Sequence, residues 1–262
     1  MKPLAVADTV LRRALPLSAY RQTRFGWRST LSLFSQPHPK VRSLAGQPKL
    51  AQLIEQVNVL APTDYCRVMT QFGSDKGWDK HNYTTVYAAL LNEWRDRPLR
   101  IFEIGLGSGN PDIPFNMGPG AVPGASLRGW KALFPKASVY GADIDRTVLF
   151  EEDRITTFYC DQLDPAAITR MWSDPELSSG ADLILDDGLH TFDGNTTFLE
   201  SSLPHLRPGG IFIVEDIHAE TFPAWTERCV RDYARRFPDK EFALVTLPNA
   251  RNPLQNNLLI VR

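Results

Sequence analysis

Cysteine is scarce: of 262 residues only Cys66, Cys160 and Cys229 are cysteine, far apart and without a CxxC pair. A disulfide framework or a zinc ribbon is excluded on that count, and a reducing cytoplasm is the expected location. No run approaches the roughly 20 apolar residues that a membrane span requires, so no transmembrane segment is expected. The chain also lacks a GK[ST] phosphate loop, and its one glycine-rich strand end breaks the GxGxxG pattern because position 110 is Asn. Net charge is close to balance at -1, but unevenly placed: residues 1–42 carry eight Lys/Arg against one acid, Asp8. The acidic remainder argues against nucleic acid as a partner, which would need a basic face on the main domain.

What is present divides in two. Residues 1–47 hold scattered arginines, four prolines and short apolar patches such as Leu31-Ser32-Leu33-Phe34, and are expected to be a basic N-terminal arm, poorly ordered or loosely docked. Residues 48–262 read as one α/β domain. Helical spacing governs 48–97, in Leu50, Leu53, Ile54 and Val57, then Tyr65 to Phe72, then Thr84 to Trp94. From 98 to 262 short apolar strands alternate with helices. Strands are predicted at 100–104, 138–142, 155–160, 182–185, 211–214, 242–247 and 257–261. This pattern predicts a doubly wound, mostly parallel, Rossmann-like seven-stranded sheet, its last two strands closing as an antiparallel hairpin. A homodimer through the helices before residue 98 is the expected assembly.

In such sheets ligands bind beyond the carboxyl ends of the strands. The first strand ends Glu103-Ile-Gly105-Leu-Gly107, where glycines let the backbone approach a ligand. An acid at this turn disfavours a pyrophosphate and suits a cationic group such as the ammonium and sulfonium of S-adenosyl-L-methionine. Asp143 closes the second strand and can accept both ribose hydroxyls; Asp161-Gln162 follow the third and can read an adenine edge. Capping of the next helix is the plain alternative for each aspartate.

Two later strand ends carry acids, Asp186-Asp187 and Glu215-Asp216. Neighbouring strands lie about 4.8 Å apart, and two bare carboxylates at about 4 Å repel by roughly 4 kcal/mol at an effective dielectric near 20. A shared proton, a base or a divalent cation must relieve that. Neither motif contains a Lys or Arg, which favours Mg2+ on Asp187, Glu215 and Asp216. His190, three residues after Asp187, is the candidate general base; His218 is a weaker one. The long Asn110–Gly124 connection, rich in Pro and Gly, is either a lid over the site or a rigid braced insert.

Taken together, Glu103-Ile-Gly-Leu-Gly, Asp161-Gln162, Asp186-Asp-Gly-Leu-His190 and Val214-Glu-Asp216 resemble class I S-adenosylmethionine-dependent methyltransferases. More narrowly they resemble the metal-dependent sugar O-methyltransferases of antibiotic deoxysugars and methylmannose polysaccharides. The Gly73-Ser-Asp-Lys-Gly77 and His81-Asn-Tyr-Thr84 segments and the helix start at Pro123–Trp130 fit that group. The resemblance runs from about residue 70 onward. It implies Mg2+ on Asp187, Glu215 and Asp216, His190 as base, and cofactor contacts from Glu103, Gly105, Gly107, Ser126, Asp143, Asp161 and Gln162, with Thr84 near the methionine part. The implied acceptor is a hydroxyl of a small-molecule glycoside or glycan. A catechol or other phenol is the alternative, since it too offers paired oxygens to a metal.

Overall fold

Strands rich in Ile, Leu, Val and Phe, buried on both faces, build the sheet that the near-continuous apolar runs require. In the computed structural model, which describes residues 38–78, 80–248 and 256–262, nine strands form one sheet. Its elements are, in chain order, β1 (Lys40–Ala45), α1 (Lys49–Glu55), α2 (Asp64–Phe72), α3 (Tyr83–Leu91), β2 (Arg100–Ile104), α4 (Ala125–Leu133), β3 (Ser138–Asp143), β4 (Glu151–Glu152), β5 (Ile155–Tyr159), α5 (Pro165–Trp172), β6 (Ala181–Asp186), α6 (Phe192–Ser202), β7 (Leu206–Val214), α7 (Phe222–Arg228), β8 (Phe242–Thr246) and β9 (Asn257–Val261). The order across the sheet is β1-β8-β9-β7-β6-β2-β3-β5-β4.

The five central strands β5, β3, β2, β6 and β7 run parallel. β8 and β9 form the expected antiparallel pair, and β9 enters between β7 and β8. The chain winds outward from β2 through β3 to β5, then returns to β6 on the other side of β2. That reversal between β2 and β6 opens the crevice in which such sheets bind ligands. Alternate residues of each strand feed two cores. Ile101, Val139, Leu183 and Ile213 pack under α1 to α4, and Phe102, Tyr140, Ile184 and Phe212 pack against α5 to α7.

Two strands were not expected. The two-residue β4 extends one edge. At the other edge β1, placed by sequence in the basic arm, pairs antiparallel with β8 from Lys40↔Thr246 to Ala45↔Phe242. The sheet domain therefore starts before residue 48. β1 is strand because its backbone completes the β8 ladder and Leu44 drops into the core at 8% exposure; its own sequence, Lys-Val-Arg-Ser-Leu-Ala, has almost no apolar run. Residues 1–37 of the expected arm lie outside the described residues. The expected helix 224–237 begins at Phe222 and passes through a wider π turn at Cys229–Tyr233. Among the described residues no helix is long and apolar enough to cross a membrane.

Candidate active site

The carboxyl ends of β2, β3, β6 and β7 open into a cleft of about 550 Å³, in the range of small-molecule sites. Its floor is the glycine loop after β2. Gly105 (φ +94°) and Gly107 (φ +84°) both line the cleft and both adopt the left-handed conformation that glycine tolerates. A Cβ on Gly105 would stand 2.0 Å from the Asp187 carbonyl oxygen, so only glycine lets the β2 and β6 loops lie this close. Asp143, at the end of β3, lines the cleft and accepts hydrogen bonds from the Leu106 and Asp145 amides at 2.7 and 2.8 Å. Burial raises its pKa above the ordinary carboxylate value, and those amides work against that shift.

Asp161, Gln162 and Ser126 also line the cleft. Gln162 spends its amide on the wall itself: Nε2 donates to Asp186 at 2.7 Å and Oε1 accepts from the Leu189 amide at 2.8 Å. The Asn110–Gly124 connection contributes Ile113, Phe115, Met117 and Val122 to the cleft. It is stitched to the glycine loop by Met117 N–H to Ser108 O and Gly124 N–H to Leu106 O.

Two of the sequence candidates stand apart. Glu103 is fully buried behind the cleft, accepting from the Ser126 hydroxyl at 2.6 Å and the Trp130 indole at 2.7 Å. Thr84 is also fully buried, and its hydroxyl donates to Cys66 Sγ at 3.0 Å. Neither lines the cleft.

The acidic strand ends do converge. β6 and β7 are parallel neighbours with Asp186 opposite Val214, so Asp187 and Asp216 emerge side by side. One donor atom from each of Asp187, His190 and Asp216 lies within 4.8 Å of the other two, and all three line the cleft. His190 (φ +56°) and Asp216 (φ +51°) are both left-handed, a conformation that costs a non-glycine residue roughly 1–2 kcal/mol and concentrates at functional positions. His190 Nε2 faces Asp216 Oδ2 at 3.8 Å, and its Nδ1 is buried with no hydrogen bond among the described residues. Burial pulls the imidazole below the usual histidine value against the opposing pull of Asp216, and the Lys76 charge adds to the lowering.

Glu215 turns away from the cleft. It is 1% exposed, with Oε1 accepting from the Tyr87 hydroxyl at 2.5 Å and Oε2 from Lys76 at 2.7 Å. Lys76 is the residue that sequence reasoning missed. It reaches the acids from 111 and 139 residues away, so the absence of a base inside the acidic motifs did not mean the absence of a base beside them. Its only signal was its place in the Gly73–Gly77 segment. Burial would lower the Lys76 pKa, but Asp187, Glu103 and Glu215 together hold it well above the ordinary value. Burial raises Asp187 and Glu215 despite the ammonium beside them. Tyr83 was likewise missed; its hydroxyl donates to Asp216 at 2.6 Å.

A divalent cation fits this set. Asp187 and Asp216 offer hard oxygen donors at one point, and the partnerless buried nitrogen of His190 at the wall carries an unmet cost of about 1–3 kcal/mol that packing alone does not explain. Glu215 is the weakest of the three expected ligands, because both its oxygens are already engaged.

No protein-family model matches the chain. It is 36% identical over 153 residues to the 8-demethyl-8-alpha-L-rhamnosyl tetracenomycin-C 2'-O-methyltransferase of Streptomyces olivaceus, covering 58% of this chain and 37% of that protein. Against the demethylmacrocin O-methyltransferase of Streptomyces fradiae it is 30% identical over 183 residues, covering 70% and 43% respectively. The chain thus spans about two fifths of the length of these curated relatives. Among solved structures, MycE methyltransferase from the mycinamycin biosynthetic pathway, in complex with Mg and SAH, superposes with a TM-score of 0.50 at 27% identity over 68% of this chain and 44% of that one. The parallel sheet with its reversed β9, the glycine loop and the acidic strand ends go with these likenesses: the chain has the class I methyltransferase fold and resembles the O-methyltransferases that act on sugars in antibiotic biosynthesis.

Proposed function

We propose that the chain carries the catalytic site of an S-adenosylmethionine- and Mg2+-dependent O-methyltransferase whose acceptor is a hydroxyl of a sugar or glycoside. The observation that carries this reading is the convergence of Asp187, His190 and Asp216 at one wall of a cleft floored by the glycine loop. When bound, S-adenosylmethionine supplies the methyl group and a divalent cation polarises the acceptor oxygen. Asp187 and Asp216 hold the cation, with Glu215 behind them. Gly105 and Gly107 admit the cofactor close to backbone, Asp143 accepts its ribose hydroxyls, and Asp161 and Gln162 border its base. His190, at the wall of the cleft beside Asp216, takes the acceptor proton. Orientation of the acceptor against the methyl donor supplies the remainder of the rate.

The relatives' names speak of rhamnosyl tetracenomycin-C and L-olivosyl-oleandolide acceptors, which is the ground for a sugar hydroxyl here. Mass spectrometry of glycosides and phenols incubated with isotope-labelled S-adenosylmethionine is the deciding experiment. Labelled glycosides, lost with chelator and restored by Mg2+, are the expected result. Labelled phenols alone would move the acceptor class, and label transfer unaffected by chelation would remove the metal.

A further inference from the structure

Glu103, Asp187 and Glu215 meet at the ends of β2, β6 and β7 around a single ammonium. Lys76 Nζ stands 2.5 Å from Asp187, 2.7 Å from Glu215 and 3.3 Å from Glu103, and its side chain is 1% exposed. The turn after α2 that carries it is fixed by Ser74 N–H to Met69 O and by Thr84 N–H to Lys76 O. Burying a lysine is costly unless it is paired, and here the pairing is threefold. Two of its three partners, Asp187 and Glu215, are residues assigned above to the divalent cation. An ammonium and a metal ion thus draw on the same carboxylates, and oxygen sites grade their affinity by the net charge of their ligands.

We propose that Lys76 is a built-in counter-ion of the metal site, which holds Asp187 and Glu215 in place and weakens divalent-cation binding by competing for their charge. The inference rests on the metal-dependent reading of the site but concerns a residue outside the ligand set. Lys76 is a positioning residue: it sets how readily the metal enters and leaves, and keeps the acids together without it.

The test is Mn2+ binding to the full chain, followed by the loss of the free-ion paramagnetic signal and by calorimetry, without substrate. Lys76→Met removes charge and donor, Lys76→Gln removes charge and keeps a donor, and Lys76→Arg keeps both. The Met and Gln variants are expected to bind Mn2+ about tenfold more tightly or better, with a larger rise in melting temperature on Mn2+ addition, while Arg stays near wild type. Recovery of a folded Lys76→Met protein only in the presence of Mn2+ would also support the proposal; if that variant stays unfolded, Lys76→Gln decides. Unchanged or weaker affinity in the neutral variants overturns the inference and leaves the metal reading intact. Absence of Mn2+ binding in every protein overturns both.

Discussion

His190 is a histidine held in a left-handed backbone and turned toward Asp216, and burial lowers its pKa. A proton acceptor with those properties is deprotonated further into acid than a free histidine. The sign follows directly: a lowered pKa keeps the neutral, accepting form present as pH falls through the ordinary value of 6.5. The acid limb of kcat/KM is therefore expected to have its midpoint below 6.5, in a profile measured with saturating Mg2+. A midpoint above it would show that another group governs the limb. Replacing the side chain separates chemistry from binding. His190→Ala is expected to lower kcat by about 10²–10⁴-fold, the usual span of general base catalysis, with S-adenosylmethionine affinity by calorimetry unchanged, because the glycine loop and Asp143 lie on other strands. Undiminished turnover in that variant would remove the assignment.

The loop after β2 and the loop after β6 act as one element. Asp187 N–H donates to Ile104 O at 2.9 Å, and Gly105 lies directly against the Asp187 carbonyl. Gly105→Ala must push that backbone aside and also strain a φ of +94°. Gly118→Ala strains a φ of +74° with nothing within 4 Å of the added carbon, and so isolates the conformational cost. Unfolding free energies from denaturant titration are expected to fall by about 1 kcal/mol for Gly118→Ala and by about 3 kcal/mol or more for Gly105→Ala, with cofactor affinity lost only in the latter. Equal losses would mean that the close approach carries no weight. This pairing of loops also shows what a single sequence can disclose. The parallel strands were legible because Ile101, Phe102 and Ile104, and Leu183 to Leu185, put apolar side chains on both faces, and the acids were legible because they sit at strand ends. Lys76 and Tyr83 were not: nothing local marks a lysine as buried when two of its three partners lie more than a hundred residues on. Glu103 misled for the same reason. Its place in the glycine loop suggested a ligand contact, while Ser126, Trp130 and Lys76, all remote in sequence, draw it into the interior.

Across the whole molecule, stability and chemistry are anchored at opposite parts of one sheet. The site uses the ends of β2, β3, β6 and β7, while β1 seals the far edge. β1 lies five strands from β2 in the sheet order, about 24 Å away at the usual strand spacing. Leu44 enters one core and Val41 packs on the other, so this short strand closes both layers. Glu241 ties the same edge to α1, accepting from the Leu50 and Ala51 amides at 2.8 and 3.0 Å. Leu44→Glu would bury an unpaired acid and release the edge of β8, at an expected cost of about 2 kcal/mol or more. For a chain of this size that corresponds to a melting temperature lower by roughly 4–8 °C. Sites this far apart add independently, so the variant should bind S-adenosylmethionine with wild-type affinity below its melting transition. Combined with Gly105→Ala, the two stability losses should sum to within about 0.5 kcal/mol. A Leu44→Glu protein that kept its melting temperature would mean that β1 contributes nothing to the sheet's stability. One that lost cofactor affinity while still folded would show that the edge and the cleft are coupled through β8, β9 and β7.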